Sequence, residues 1–262
     1  MRELEREPTD KPLPALAVIG PGRLGGAILR AADGAGLDVR LAGREDSLAA
    51  CESASVALIC VPDASITSAG EAVAAAVPPL RYVGHTSGAT GLDALRAASE
   101  RGAETFVLHP LQTIPEGEAR LDDAPCAVSG SSPAALELAK RLAEGLGMVP
   151  FELADADRAA YHAAASIASN FLVALEESAA GLLAASGVAD PRELLAPLVL
   201  RTAANWAERG PEALTGPIAR GDERTVERHV EAIAERAPEL LPLYEALAER
   251  TRELARLREV AV

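Results

Sequence analysis

The sequence predicts an α/β protein in which a largely parallel sheet covered by helices is followed by an all-helical region. Three observations predict it. From Leu16 onward, short β-branched or apolar runs alternate with longer Ala-rich segments, the pattern of strands joined through crossover helices. A glycine-rich turn, Gly20-Pro-Gly22-Arg-Leu-Gly25, stands directly between the first such run and the first Ala-rich segment. After Phe151 the strand signals stop, and the remainder reads as helix punctuated by Gly187, Pro191, Gly210-Pro211 and Gly216-Pro217.

Residues 1–14 are polar and end in Lys11-Pro12-Leu13-Pro14, which cannot form regular structure and reads as a mobile leader. Strands are expected at Leu16–Ile19, Val39–Ala42, Val56–Val61, Tyr82–Gly84, Thr105–Leu108 and Cys126–Val128, with a short last one near Met148–Phe151. These belong to a first domain over residues 15–152, and residues 153–262 form the helical one. The first helix of that second domain starts near Asp155-Ala-Asp157 and runs to about Ser186, a length of roughly 45 Å at 1.5 Å per residue.

Composition narrows the function classes. A chain of 262 residues with 49% hydrophobic content buries one large core or two modest ones. A net charge of -14 argues against nucleic acid or an anionic membrane as partner, because both are themselves negative. Cys51, Cys60 and Cys126 form no close pair and leave an odd one over, which fits packing in a reducing cytosol better than a disulfide framework. The charged start, Met1-Arg-Glu-Leu-Glu-Arg-Glu, is unlike a signal sequence, and no apolar run is expected to reach the roughly 18 residues of a membrane helix. A cytoplasmic location is expected.

The strand Leu16-Ala-Val-Ile19 running into G-x-G-x-x-G and then a helix predicts a Rossmann-type dinucleotide site. Gly20 permits the tight turn, Gly22 lets backbone approach a pyrophosphate, and Gly25 lets helix and strand pack closely. The helix start, with Arg23 and Leu24, offers unpaired N–H groups to the anion. At the end of the second strand, where an NAD site wants a carboxylate for the ribose 2′-hydroxyl, Val39-Arg-Leu-Ala-Gly43 is followed by Arg44. A guanidinium there suits the 2′-phosphate of NADP, so NADP is expected over NAD, with Glu45 the residue that would weaken the preference. Val61 and Pro62, at the end of the third strand, are expected to wall the nicotinamide ribose, and Asp63 to cap the following helix or touch ligand.

Two further strand ends carry polar groups, His85-Thr86-Ser87-Gly88 and His109-Pro110-Leu111-Gln112-Thr113. Both are expected at the same crevice, where Ser87, His109 and Gln112 can orient a small polar substrate, unless they serve only as turn and loop anchors. On the long helix, His162, Ser166 and Asn170 recur every four residues and share one face. A polar stripe amid alanines points to a cleft between the domains; a solvated face would carry Glu, Lys and Arg, as at Glu223-Arg-Thr-Val-Glu-Arg228. Thr215 and Arg220, in Leu214-Thr-Gly-Pro-Ile-Ala-Arg-Gly-Asp222, read either as a helix junction or as ligands of a substrate carboxylate. No metal-ligand set is expected.

These residues resemble a Rossmann-like reductase family whose helical C-terminal domain is of unknown function. The resemblance runs from the Gly20 loop through His109-Pro-Leu-Gln112, Tyr161-His162-Ala-Ala-Ala and Asn170 to Thr215-Gly-Pro217 and Arg220-Gly-Asp222. The wider group includes 6-phosphogluconate dehydrogenase, β-hydroxyacid dehydrogenases, ketopantoate reductase, prephenate dehydrogenase and pyrroline-5-carboxylate reductase. The resemblance implies a 6-phosphogluconate-dehydrogenase-like helical domain and a homodimer. Laid on ketopantoate reductase, His162 takes the place of a catalytic lysine, and Ser166 and Asn170 those of two asparagines. The lysine is absent, but a histidine can still donate a proton. The implied activity is NADP-dependent hydride transfer to a small C=O or C=N substrate, for example a 2-oxo acid such as ketopantoate, with His162 as general acid. A noncatalytic NADP(H) sensor and a helical dimerisation protein that binds no cofactor are the competing readings.

Overall fold

A computed structural model describes residues 12–115 and 120–260. Seven strands, β1 (Leu16–Ile19), β2 (Val39–Ala42), β3 (Val56–Ile59), β4 (Tyr82–His85), β5 (Glu104–Pro110), β6 (Pro125–Gly130) and β7 (Val149–Glu152), form one sheet in the order β2-β1-β3-β4-β5-β6-β7. The first five run parallel, β6 pairs antiparallel with β5, and β7 lies parallel to β6. The carboxyl ends of β1 to β5 therefore open on one edge of the sheet. All seven strands fall where the sequence places them. The main shifts are that β5 extends through His109 and Pro110 and that β3 stops at Ile59, two residues short of Val61.

Every residue of β1, β3 and β4 is buried, as the unbroken apolar runs of β1 and β3 require of strands covered on both faces. Alternation along the strands builds two cores. Leu16, Val18, Leu58, Phe106 and Leu108 face one way and meet Ile28 of α1 (Arg23–Ala35) and Leu138 and Leu142 of α5 (Pro133–Gly145). Ala17, Ile19, Ala57, Ile59 and Val83 face the other way. There they meet Cys51 of α2 (Ser47–Cys51), Ile66 and Val73 of α3 (Ile66–Ala74) and Ala98 of α4 (Arg96–Glu100). Local chemistry sets the helix ends: Ser132 caps α5 by accepting from Ala135 N at 3.0 Å, with Pro133 opening the first turn. Of the leader expected at residues 1–14, only residues 12–14 are described, and Leu13 packs against the first core. Cys51 and Cys126 are buried, and burial pushes their thiols up to about 11 and about 12, so they remain protonated packing groups.

The chain divides into two compact units, one up to Ser166 and one from Ile167. Sequence patterning puts the boundary at 152/153. It lies further along because α6 (Arg158–Ala168) begins by packing on the sheet: Arg158 is 1% exposed and its guanidinium donates to Ser129 of β6. The single long helix expected from Asp155 to Ser186 is also interrupted. After a turn at Asp155–Asp157 and α6, Ser169 is distorted within the right-handed helical region (φ -119°, ψ -72°), and α7 (Asn170–Ala185) starts after it. Ser169 O accepts the first bond of α7, from Val173 N, the role Ser commonly takes at a helix start.

The second unit continues with α8 (Pro191–Arg209), α9 (Glu223–Arg236) and α10 (Leu241–Val260), joined by short turns at Gly210–Ala213, Ile218–Arg220 and Pro238–Leu240. Its buried hydrophobic residues are few: Ala180, Val226, Ile233, Ala237 and Ala248. The stretch Asp155–Ala185 reaches a mean hydropathy of 1.3 over 18 residues, with 6% of that window buried. Counting uninterrupted apolar residues misses this stretch, because Ser166, Ser169 and Asn170 break the run.

Candidate functional site

The β1–α1 turn shows why each glycine is where it is. Gly20 has φ +120°, and a Cβ there would run into the carbonyl of Cys60 on the neighbouring strand end. A Cβ on Gly25 would collide with the carbonyl oxygen of Gly20, so the first turn of α1 can close over the loop only with hydrogen at that position. Gly22 is the N-cap of α1 in extended conformation, and its Cβ direction meets nothing within 4 Å. Arg23 is exposed at the first helical position, and Leu24 turns back against the core. The free N–H groups of this 13-residue helix thus face an open approach, a geometry that fits a phosphate.

Beside the turn lies a cavity of about 150 Å³ lined by Gly20, Arg44, Ser47, Val61, Ser65 and Ser68, among others. Arg44 follows Gly43 in the exposed turn after β2, and Ser47 Oγ donates to the Arg44 carbonyl at 2.9 Å, which shapes that turn. The cavity's lining includes Arg44 and not Glu45. Pro62 is exposed at the head of the Asp63–Ser65 turn, and Asp63, expected as a cap, makes no side-chain cap bond. A more open depression of about 700 Å³ lies between the far half of α1 and the end of α5, at Arg30, Gly34, Glu144 and Gly147. It touches none of the residues singled out from the sequence, and the functional reading rests on the smaller cavity.

The ends of β4 and β5 build a second cluster on the same sheet edge. His85 is fully buried; its Nε2 donates to Gly91 O at 3.1 Å and its Nδ1 accepts from Ser87 N at 3.2 Å, so it is neutral and spent in the loop. Burial pushes its pKa down. Ser87 is spent likewise. Its Oγ accepts from Ala89 N and Thr90 N at 3.2 and 3.0 Å and pairs with Thr90 Oγ1 at 3.0 Å. Its expected catalytic role gives way to that of a turn staple, since the hydroxyl's bonds stay within the loop.

This rigid loop presents Gly88 to two imidazoles. A Cβ on Gly88 would lie 2.7 Å from His162 Nδ1 and 2.8 Å from His109 Nε2. The two rings, one from β5 and one from α6, stand edge to face with centroids 6.1 Å apart. His109 Nδ1 is 2.7 Å from the Tyr161 hydroxyl. Burial foremost, then His162 and Arg158, pushes the His109 pKa down to about 4, and burial raises Tyr161 to about 12. His162 Nδ1 is enclosed and has no hydrogen-bond partner among the described residues. Beneath them Arg158 donates from Nε to Asp155 Oδ1 at 2.7 Å and from Nη2 to Ser129, while Asp155 Oδ2 accepts from Leu92 N at 3.3 Å. The start of α6 is thereby tied both to β6 and to the loop after β4.

Gln112 is exposed, its Oε1 accepting from Thr113 N at 2.9 Å. Ser166 is half-buried at the end of the first unit, and Asn170 is exposed at the start of α7, so the four-residue stripe is broken by Ser169. Thr215 and Arg220 are exposed in the second unit, in a junction where Asp222 caps α9 by accepting from Thr225 N and Oγ1. Sequence reasoning missed Arg158, whose setting in Asp-Ala-Asp-Arg looks like an ordinary solvated helix start. It also gave no role to Tyr161 or Gly88, although both stand beside residues it singled out.

A parallel sheet whose first strand turns through Gly20 and Gly25 into a helix, with polar strand ends on the same edge, defines a Rossmann-type domain. Residues 37–110 match the Rossmann-like domain family, and residues 124–251 match DUF2520, a domain of unknown function. The second match takes in β6, α5 and β7 as well as most of the helices that follow. Three solved structures share the fold. A Bacteroides fragilis protein assigned as an NADP oxidoreductase is 21% identical with a TM-score of 0.75, over 92% of this chain and 98% of its own. Thermotoga maritima protein TM1727 is 24% identical with a TM-score of 0.72, over 94% and 100%. An imine reductase from Aspergillus terreus is 20% identical with a TM-score of 0.61, over 94% and 96%. No curated protein matches the sequence significantly.

Proposed function

We propose that the protein is an NADP-dependent oxidoreductase acting on a small C=N or C=O substrate, with His162 as the proton donor. The observation that carries this reading is the shared sheet edge. The glycine turn with its Arg44-lined cavity and the imidazole pair at Gly88 both sit at the carboxyl ends of parallel strands in one unit. NADPH, when bound, would supply the hydride chemistry. Gly20, Gly22 and Gly25 would let backbone approach its pyrophosphate, Arg44 would pair with its 2′-phosphate, Arg23 would add a cation at the helix start, and Val61 and Pro62 would wall its ribose. His162 then gives a proton to the oxygen or nitrogen that accepts the bond electrons, a task imidazole suits near neutral pH.

The Aspergillus terreus imine reductase among the structural neighbours, solved in complex with NADPH4 and dibenz[c,e]azepine, supports the C=N class. Among carbonyl substrates, the resemblance of the 162–170 segment to ketopantoate reductase points to a 2-oxo acid. The test is calorimetry with NADPH and NADH, then a screen of imines and 2-oxo acids for NADPH oxidation. His162→Gln is expected to cut turnover at least about a hundredfold with NADPH affinity nearly unchanged. Unaltered turnover removes His162 from the chemistry; tight NADPH binding with no turnover anywhere in the screen favours a sensor.

We further propose that the protein is a homodimer joined through the second unit. Phe171 and Val173 on α7 and Leu194, Leu198, Leu200 and Trp206 on α8 are 57–71% exposed, beside a core of five residues. Six such side chains supply on the order of 800 Å², the share each partner contributes to a standard interface. Sedimentation at micromolar concentration is expected to give twice the mass of 27.0 kDa. A monomer refutes this.

A further inference from the structure

We infer that Tyr161 is a positioning residue that locks His109 in the neutral tautomer with its proton on Nε2, giving the site a fixed N–H donor beside Gly88 and opposite His162. The inference rests on the reductase reading for its chemical meaning, but the lock itself is a property of the protein without substrate. The hydroxyl of Tyr161 lies 2.7 Å from His109 Nδ1, and that is its hydrogen bond among the described residues. The ring is held from both sides, standing edge to face with His109 at 5.5 Å and with Phe151 at 6.0 Å between centroids.

Two arrangements of protons satisfy that distance. If Tyr161 donates, Nδ1 accepts and Nε2 carries the imidazole proton. If Nδ1 donates, the hydroxyl proton of Tyr161 points at no acceptor among the described residues and Nε2 is a bare lone pair. The first arrangement leaves one fewer polar group unpaired, which favours it by roughly tenfold. Burial acts in the same direction: Tyr161 stays protonated up to about 12, and His109 stays neutral down to about 4. The groups that bear on His109 are His162 and Arg158 from α6, His85 from β4 and Asp63 from the turn after β3, and Arg158 and His162 both oppose a charge on it.

Nε2 is the atom of His109 nearest the place a Gly88 Cβ would occupy, as Nδ1 is of His162. A carbonyl oxygen brought to this place accepts a hydrogen bond from the Nε2–H of His109 on one lone pair and takes the proton of His162 on the other; an imine nitrogen accepts the hydrogen bond on its one lone pair and takes the proton on the pair released as the C=N π bond opens to hydride. The two histidines therefore divide the work: His109 polarises the double bond without titrating, and His162 is the acid. Without the Tyr161 hydroxyl, His109 divides between tautomers, and the Nδ1–H form turns a lone pair toward the substrate's own lone pair.

The experiment compares the protein with Tyr161→Phe, which keeps the ring and removes only the hydroxyl. Long-range proton–nitrogen NMR of the labelled imidazoles at pH 7, with the His109 signal assigned through His109→Gln, is expected to show Nε2–H in the parent chain and a mixture in Tyr161→Phe. NADPH oxidation with a cyclic imine, a methylpyrroline, is expected to show kcat about tenfold lower in Tyr161→Phe, with KM and NADPH affinity within about twofold. A parent chain in the Nδ1–H form, a parent imidazolium at pH 7, or an unchanged tautomer in Tyr161→Phe each overturns the inference. A lost tautomer with unchanged kcat overturns its bearing on the reaction. If the cyclic imine is not turned over, the NMR result alone decides, so failure of the reductase reading and failure of the lock are told apart.

Discussion

Replacing Gly88 with alanine probes the centre of the imidazole pair. Gly88 is not among the residues of positive φ, so alanine costs no backbone strain and the effect is steric. The new Cβ would stand 2.7 Å from His162 Nδ1 and 2.8 Å from His109 Nε2, about 0.7 Å inside an ordinary van der Waals separation of ~3.5 Å. Neither ring retreats freely: His109 is bonded to Tyr161, and His162 sits on the helix tied down by Arg158. Overpacking of this kind costs about 1–3 kcal/mol, so a Tm lower by roughly 3–10 °C is expected in calorimetry. Displacing both imidazoles by a large fraction of an ångström is expected to lower kcat about 10- to 100-fold. NADPH affinity, set at the Gly20 turn, is expected to hold within about twofold. A variant with parental Tm and parental kcat would refute the convergence of the two histidines on this loop.

Two further perturbations test other parts of the site. Arg44→Ala is expected to weaken NADPH binding about 10- to 100-fold, the loss of roughly 1.5–3 kcal/mol of charge-assisted bonding, while NADH binding is unchanged; equal losses for both cofactors in calorimetry would place Arg44 away from the 2′-phosphate. Stability is expected to fall as pH drops from about 6.5 toward about 4, because the unfolded chain takes up a proton in that window that buried, neutral His109 refuses, and His85 adds in the same direction. His109→Gln is expected to flatten that slope in thermal melts recorded from pH 7 to 4.5, and an unaltered slope would assign it to other groups.

The parts of the fold that could be read from the chain are those set by neighbours in sequence. Leu16–Ile19 and Val56–Ile59 are apolar throughout because strands covered on both faces need no polar side. Gly20 and Gly25 are within six residues of each other, so their turn is a local problem, and the chain order of β2, Gly43 and Arg44 likewise puts the guanidinium at the ligand edge. The break at Ser169 was not legible, since Ala-rich sequence on both sides continues the same helical propensity. For Ser87 the sequence left two roles open, substrate contact and turn anchor, and its three bonds to its own loop decide for the anchor.

By itself, then, the sequence determined the sheet, the glycine turn and its arginine, because strand burial and turn geometry act over a few residues. Only the tertiary structure decided which polar groups meet. His109 and Tyr161 are 52 positions apart, and Arg158 reaches Ser129 across 29. Such pairings depend on how β5, β6 and the start of α6 pack, and no local pattern records which distant partner will satisfy a buried hydrogen bond.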